Sequence, residues 1–161
     1  MANSLERKKG EIKEINENIE KKNVEADQLE ENLAAYQEAR AEIENSNMSD
    51  EAKSKALKAL EEAREANREK GEELAEETRS DTERLEEIKQ ETQEAINDAN
   101  DEKSSLESKQ KLFERLGIGE GIDEAISEVD KEITEEQDIM EEIINTEKSM
   151  NDTVNRLRRH S

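Results

Sequence analysis

From Ile12 the chain reads Ile12-Lys13-Glu14-Ile15-Asn16-Glu17-Asn18-Ile19-Glu20-Lys21-Lys22-Asn23-Val24-Glu25-Ala26-Asp27-Gln28-Leu29. Apolar residues return at alternating steps of three and four, and the positions between them are mostly charged. That spacing puts the apolar side chains along one stripe of an α-helix, the signature of a coiled coil. Extended in both directions, one seam position holds Leu5, Ile12, Ile19, Ala26, Leu33 and Arg40. The other holds Lys8, Ile15, Lys22, Leu29, Tyr36 and Ile43.

The pattern restarts twice. Asn45-Ser46-Asn47-Met48-Ser49-Asp50 is a run of turn formers ending in a helix cap, and Asp50 and Glu51 favour the positive end of the helix dipole. Gly117-Ile118-Gly119-Glu120-Gly121 can end a helix in a left-handed cap. Three helices are therefore predicted, over about 3–45, 50–116 and 121–159, in a single coiled-coil domain covering 1–161. The last carries a seam of Ile126, Ile133, Met140, Glu147 and Val154 alternating with Ile122, Val129, Glu136, Ile143, Met150 and Leu157.

The middle helix is less regular. Its seam runs Leu57, Leu60, Arg64, Asn67, Gly71, Leu74, Thr78, Asp81, Leu85, Ile88, Thr92, Ala95, Ala99, Glu102, Leu106, Lys109, Phe113 and Leu116, with most of the polar residues between 64 and 109. Short turns make neighbouring helices antiparallel, which brings residue 5 near residue 90 and residue 157 near residue 80. The fold predicted is all-α: an elongated antiparallel coiled coil of three long helices, with a hairpin at each end and all three overlapping near 78–90. The alternative is a four-helix bundle, should the middle helix break near 71–82, at Gly71 or at the capping-box pattern Ser80-Asp81-Thr82-Glu83.

Composition agrees with a narrow seam. Hydrophobic residues make up 30% of the 161 and charged residues 44%, against about 45–50% and about 25% in ordinary globular chains. Tyr36 and Phe113 are the only aromatic residues, and proline is absent. The net charge of −21 disfavours direct contact with nucleic acid or anionic membranes. Residues 61–102 hold seventeen acidic and six basic side chains, whereas Arg7, Lys8, Lys9 and Lys13 at one end and Arg156, Arg158 and Arg159 at the other are basic. Both basic ends are predicted to fold back onto acidic residues 76–94.

Catalytic chemistry has no foothold. His160 is the sole histidine and stands next to the last residue, without a shell to position it as a base. Cysteine is absent, which removes thiolate nucleophiles and thiolate metal sites. Asp98-Ala99-Asn100-Asp101-Glu102-Lys103 has a lysine where a calcium loop needs glycine. The glycines of 117–121 follow a helix rather than a strand, unlike a phosphate-binding loop. No catalytic, cofactor or metal-binding residues are assigned, and no enzyme activity is expected.

The expected function is that of a helical interaction protein, an adaptor, chaperone or scaffold, binding a partner or itself as a homo- or hetero-oligomer through its seams. Polar residues at seam positions lower stability and fix register, so the under-filled middle helix is the predicted docking surface. Its candidate residues are Arg64, Asn67, Leu74, Asp81, Leu85, Ile88 and Thr92, with Tyr36 and Phe113 as aromatic anchors. With no apolar leader or membrane-length apolar run, the location expected is the cytoplasm, or export without a cleaved signal.

In its helical hairpins and its lack of a signal peptide, the chain resembles the small helical partners of type VII (Esx/LXG) secretion effectors. The resemblance is one of architecture: neither turn contains the Trp of that family's W-x-G motif, and Tyr36 is followed four residues later by Arg40 instead of an acidic residue. The acidic coiled coil with Arg156, Arg158 and Arg159 at its tip is similar in the same coarse way to phage capsid scaffolds. A reading from another class is an acidic mimic of DNA, for which only 72–77 offers a face clear of cations. A disordered or single-helix spacer is a further alternative.

Overall fold

The computed structural model describes residues 2–159; His160 lies outside them. Four helical segments follow one another: α1 (Ala2–Glu44), α2 (Asp50–Glu77), α3 (Arg79–Arg115) and α4 (Gly119–Arg158). Thr78 alone separates α2 from α3. The chain is therefore all-α and made of three long helices, as the heptads predict; the bend in the middle one is an addition that they do not show.

The bend has a local cause. Thr78 keeps helical torsions (φ −74°, ψ −12°), and its amide donates to the Ala75 carbonyl at 3.2 Å. Its hydroxyl donates to the same carbonyl at 2.7 Å, and the Thr82 hydroxyl donates to the Thr78 carbonyl at 3.1 Å. Hydroxyls bonded back to helix carbonyls bend helices without ending them. The Thr82 amide then resumes the ladder on the Thr78 carbonyl at 3.0 Å. The capping-box residues 80–83 lie inside α3. Gly71 is helical as well, so neither proposed break reverses the chain.

The true turns are capped as their sequences require. The Ser49 side chain accepts from the Ala52 amide at 3.2 Å, with Asp50 and Glu51 in the first turn of α2. At the second turn Gly117 takes φ +75°. The Gly117 amide bonds to the Glu114 carbonyl and the Ile118 amide to the Phe113 carbonyl, the two bonds of a Schellman cap. α4 starts at Gly119, two residues earlier than predicted.

Packing divides the chain into two compact units. In the first, α1 up to Ile15 joins residues 83–147. Here α3 and α4 run antiparallel, with Gln110 bonded to Asp123, Lys103 to Asp130 and Lys89 to Glu147. The start of α1 supplies a third wall: Arg7 pairs with Glu91 and Lys8 with Glu136. Ile12, Ile15, Leu85, Ile88, Ile139 and Ile143 are buried.

In the second unit, residues 16–82 join α4 from Lys148 onward. α1 opposes the bent helix, with Asn32 against Asn67, Lys22 against Glu77 and Asn18 against Asp81. The end of α4 covers this pair and runs parallel to α1, Thr153 meeting Asn23 and Arg156 meeting Asp27 and Glu30. Ala26, Leu29, Leu74, Ala75 and Leu157 form its core.

Two registers differ from the sequence reading. Leu157 lies against Gly71, not near residue 80: its carbonyl oxygen is 2.4 Å from where a Cβ on Gly71 would stand. The missing side chain at Gly71 lets the two backbones close. On α4, the predicted Met140, Glu147 and Val154 are only half-buried, while Ile139, Thr146 and Thr153 are buried. A helix at 3.6 residues per turn drifts against a strict seven-residue repeat, and two facing helices turn the neighbouring stripe inward.

Candidate functional site

Three polar seam residues of the bent helix have partners within the chain. Asn67 is buried; its amide donates to the Leu29 carbonyl at 3.3 Å and its side-chain oxygen accepts from Asn32 at 3.1 Å. Thr92 is wholly buried and donates to the Ile88 carbonyl at 2.8 Å. Asp81 is half-buried and accepts from Asn18 at 3.0 Å. Leu74, Leu85 and Ile88 are enclosed by the chain's own helices. Five of these six residues are buried and Asp81 is half-buried, all of them packed among the chain's own helices.

Of the other candidates, Tyr36 and Phe113 are half-buried and Arg64 is exposed. The structure brings Tyr36 and Arg64 together and leaves Phe113 in the other unit. Residues 33–40 of α1 and 57–64 of α2 form a two-helix section with an open groove of about 330 Å³. Leu33, Tyr36, Leu57 and Leu60 make its floor, and Arg40 and Arg64 stand on its rim. Arg40 Nε donates to Glu44 on its own helix at 3.0 Å, and Arg64 lies 4.0 Å from Glu61, also on its own helix. These apolar residues were legible as seam positions, but only the fold shows where α4 stops covering them.

The first unit has a two-helix section too. Half-buried Leu106 and Phe113 lie on α3, while Leu112, Leu116 and Ile118 around the Schellman cap are 57%, 64% and 53% exposed. Leu112 and Ile118 lie off the predicted seams, and the heptad gave no sign of them. Further along, a cleft of about 580 Å³ is lined by Leu5, Lys9, Glu102, Val129 and Glu132, among others. Among the described residues, no group of three or more Asp, Glu, His or Cys could hold a metal ion.

Electrostatics follow the helix contacts. Arg7 holds the Glu91 carboxyl below the ordinary range, and Lys22 does the same to Glu77. Glu30 and Asp27 raise the Arg156 guanidinium, Glu147 raises Lys89 and Asp130 raises Lys103. Glu132 moves the other way for an acid: desolvation, reinforced by Glu102 and Glu136, pushes its carboxyl up. Burial disfavours the charged form, and nearby carboxylates add to that. The N-terminal fold-back is observed in the pair of Arg7 with Glu91. At the other end, Arg158 reaches Glu72 at 3.7 Å, whereas Arg156 grips α1 and not the acidic middle helix.

Comparison with protein-family models, with curated proteins and with solved structures returned no match. Among the described residues no helix is long and apolar enough to cross a membrane.

Proposed function

We propose that this chain is a non-enzymatic helical interaction protein, an adaptor or scaffold, that receives other helices at its two-helix sections. One observation carries the reading. Where a third helix is present the seam is closed, as at Ala26, Leu29, Leu74 and Ala75. Where it is not, the same stripes stay half-open at Leu33, Tyr36, Leu57 and Leu60. A helix with one covered and one uncovered stretch of the same stripe presents a ready seat for a further helix.

Photo-crosslinking groups at position 36 or at position 118, in cells of the native host, test this. Specific adducts at those positions and none at position 88 are expected. A monomer by light scattering that forms no adduct at either would overturn the reading.

A further inference from the structure

Resting on that reading, we propose that the groove between α1 and α2 takes an amphipathic helix of another protein whose apolar stripe is flanked by carboxylates. The argument starts from the helix that already lies in this groove. The end of α4 seats Leu157 against Ala26 and Leu29 of α1 and Leu74 and Ala75 of α2, and Arg156 and Arg158 reach acidic flanks at Asp27, Glu30 and Glu72. α4 ends at Arg158. The groove does not end there: along the direction of α4 its floor continues through Leu33 and Tyr36 on α1 and Leu60 and Leu57 on α2.

Along that continuation the charge of the flanks reverses. Acidic Asp27, Glu30 and Glu72 give way to Arg40 and Arg64, with Glu61 the one carboxylate lining the groove beside them. A helix continuing the line of α4 therefore needs the opposite pattern, carboxylates where α4 has arginines. Arg40 and Arg64 are free to change partners at small cost. Their side chains are 61% and 48% exposed and pair with carboxylates one turn away on their own helices, exposed pairs that contribute little.

A second copy fits less well, because two chains of −21 repel. For the same reason the partner helix carries its carboxylates at the flanks and cations on its outer face, with no net negative charge. Local pairs at contact distance then outweigh a field that physiological salt screens within about 8 Å.

Two synthetic helical peptides of identical composition and zero net charge provide the test. One has Glu flanking a Leu stripe with Lys on the outer face; in the other Glu and Lys are exchanged. Neither contains Tyr or Trp, so emission from Tyr36, the chain's only tyrosine, reports the groove directly. Saturable change with the Glu-flanked peptide is expected, at least tenfold tighter than with its exchanged counterpart. The Arg40→Glu/Arg64→Glu variant should reverse the preference while melting like the parent by circular dichroism.

Equal binding of both peptides, or a preference unmoved by charge reversal, would overturn the proposal. So would a concentration-dependent Tyr36 change accompanied by a dimer mass, which assigns the groove to a second copy. Silence with both peptides while position 118 still cross-links a partner overturns this inference and leaves the interaction reading standing.

Discussion

Lys8 and Glu136 stand 128 residues apart in sequence and meet at 2.7 Å inside the first unit, their side chains 1% and 6% exposed. Removing one partner from a buried pair strands the other charge, which costs about 3–5 kcal/mol, whereas apolar replacement of both can be neutral or stabilising. Lys8→Met alone is expected to lower stability by that amount, and Lys8→Met with Glu136→Leu to restore most of it. Urea unfolding of the three proteins decides the matter. A single variant as stable as the parent would show that the pair contributes nothing.

Two helical glycines give opposite outcomes on substitution. A Cβ on Gly71 meets the Leu157 carbonyl oxygen at 2.4 Å, while Gly10 has nothing within 4 Å. Alanine in a helix is favoured over glycine by about 0.8–1.0 kcal/mol. Gly10→Ala should therefore raise stability by about that much. Gly71→Ala should lower it by about 1–3 kcal/mol, the usual range for overpacking. Thermal melts of the two variants measure both signs.

Acid and base limbs of the stability curve belong to different carboxylates. The folded-state pKa of Glu132 is raised, so the folded chain holds that proton more tightly. Its contribution is fullest below the ordinary glutamate value and falls as pH rises through the folded one. Glu132→Gln should therefore stabilise at pH 7 and change little below about pH 4. Glu91 is lowered by Arg7, so its contribution is present at neutral pH and is lost as pH falls through the folded value. Glu91→Gln should then cost only a few tenths of a kcal/mol at pH 7, because the pair is nearly half exposed. Unfolding curves at pH 4 and pH 7 separate the two cases.

Reversing the charge that holds the end of α4 should loosen that end locally. Arg156 Nε bonds to Glu30 at 3.1 Å and its guanidinium also reaches Asp27 and Asn23. Arg156→Glu is expected to reduce hydrogen-exchange protection over residues 150–158 by about tenfold, equivalent to about 1.4 kcal/mol. Protection at Ile139 and Ile143 should be unchanged.

The helices and turns were legible because heptads, Ser49 and Gly117 act through local chemistry. The site was less legible. Asn67 and Thr92 look like defects in a list of seam residues, yet each finds a carbonyl, one on a neighbouring helix and one on its own. Ile139 and Thr153 belong to a stripe that becomes visible only once two helices face α4. Thr78 carries no breaker signature, and its effect depends on where a hydroxyl points. Tyr36 was legible as a large seam residue, but its exposure depends on α4 ending at Arg158, which no heptad specifies.

The slot at Gly71 also sets an order in time. α1 and α2 adjoin in the chain and can zip together as soon as both exist, but the residue that fills the slot is Leu157. Contacts this distant in sequence form slowly, because the entropy of closing the loop must be met first. On a ribosome moving at about 5–20 residues per second, some ~75 further residues, or ~4–15 s, separate completion of the hairpin from arrival of its cover. Throughout that interval Leu29, Leu74 and the acidic rim at Asp27, Glu30 and Glu72 stand open along with the Tyr36 groove, and the newborn chain offers one long continuous trough for any helix that reaches it first.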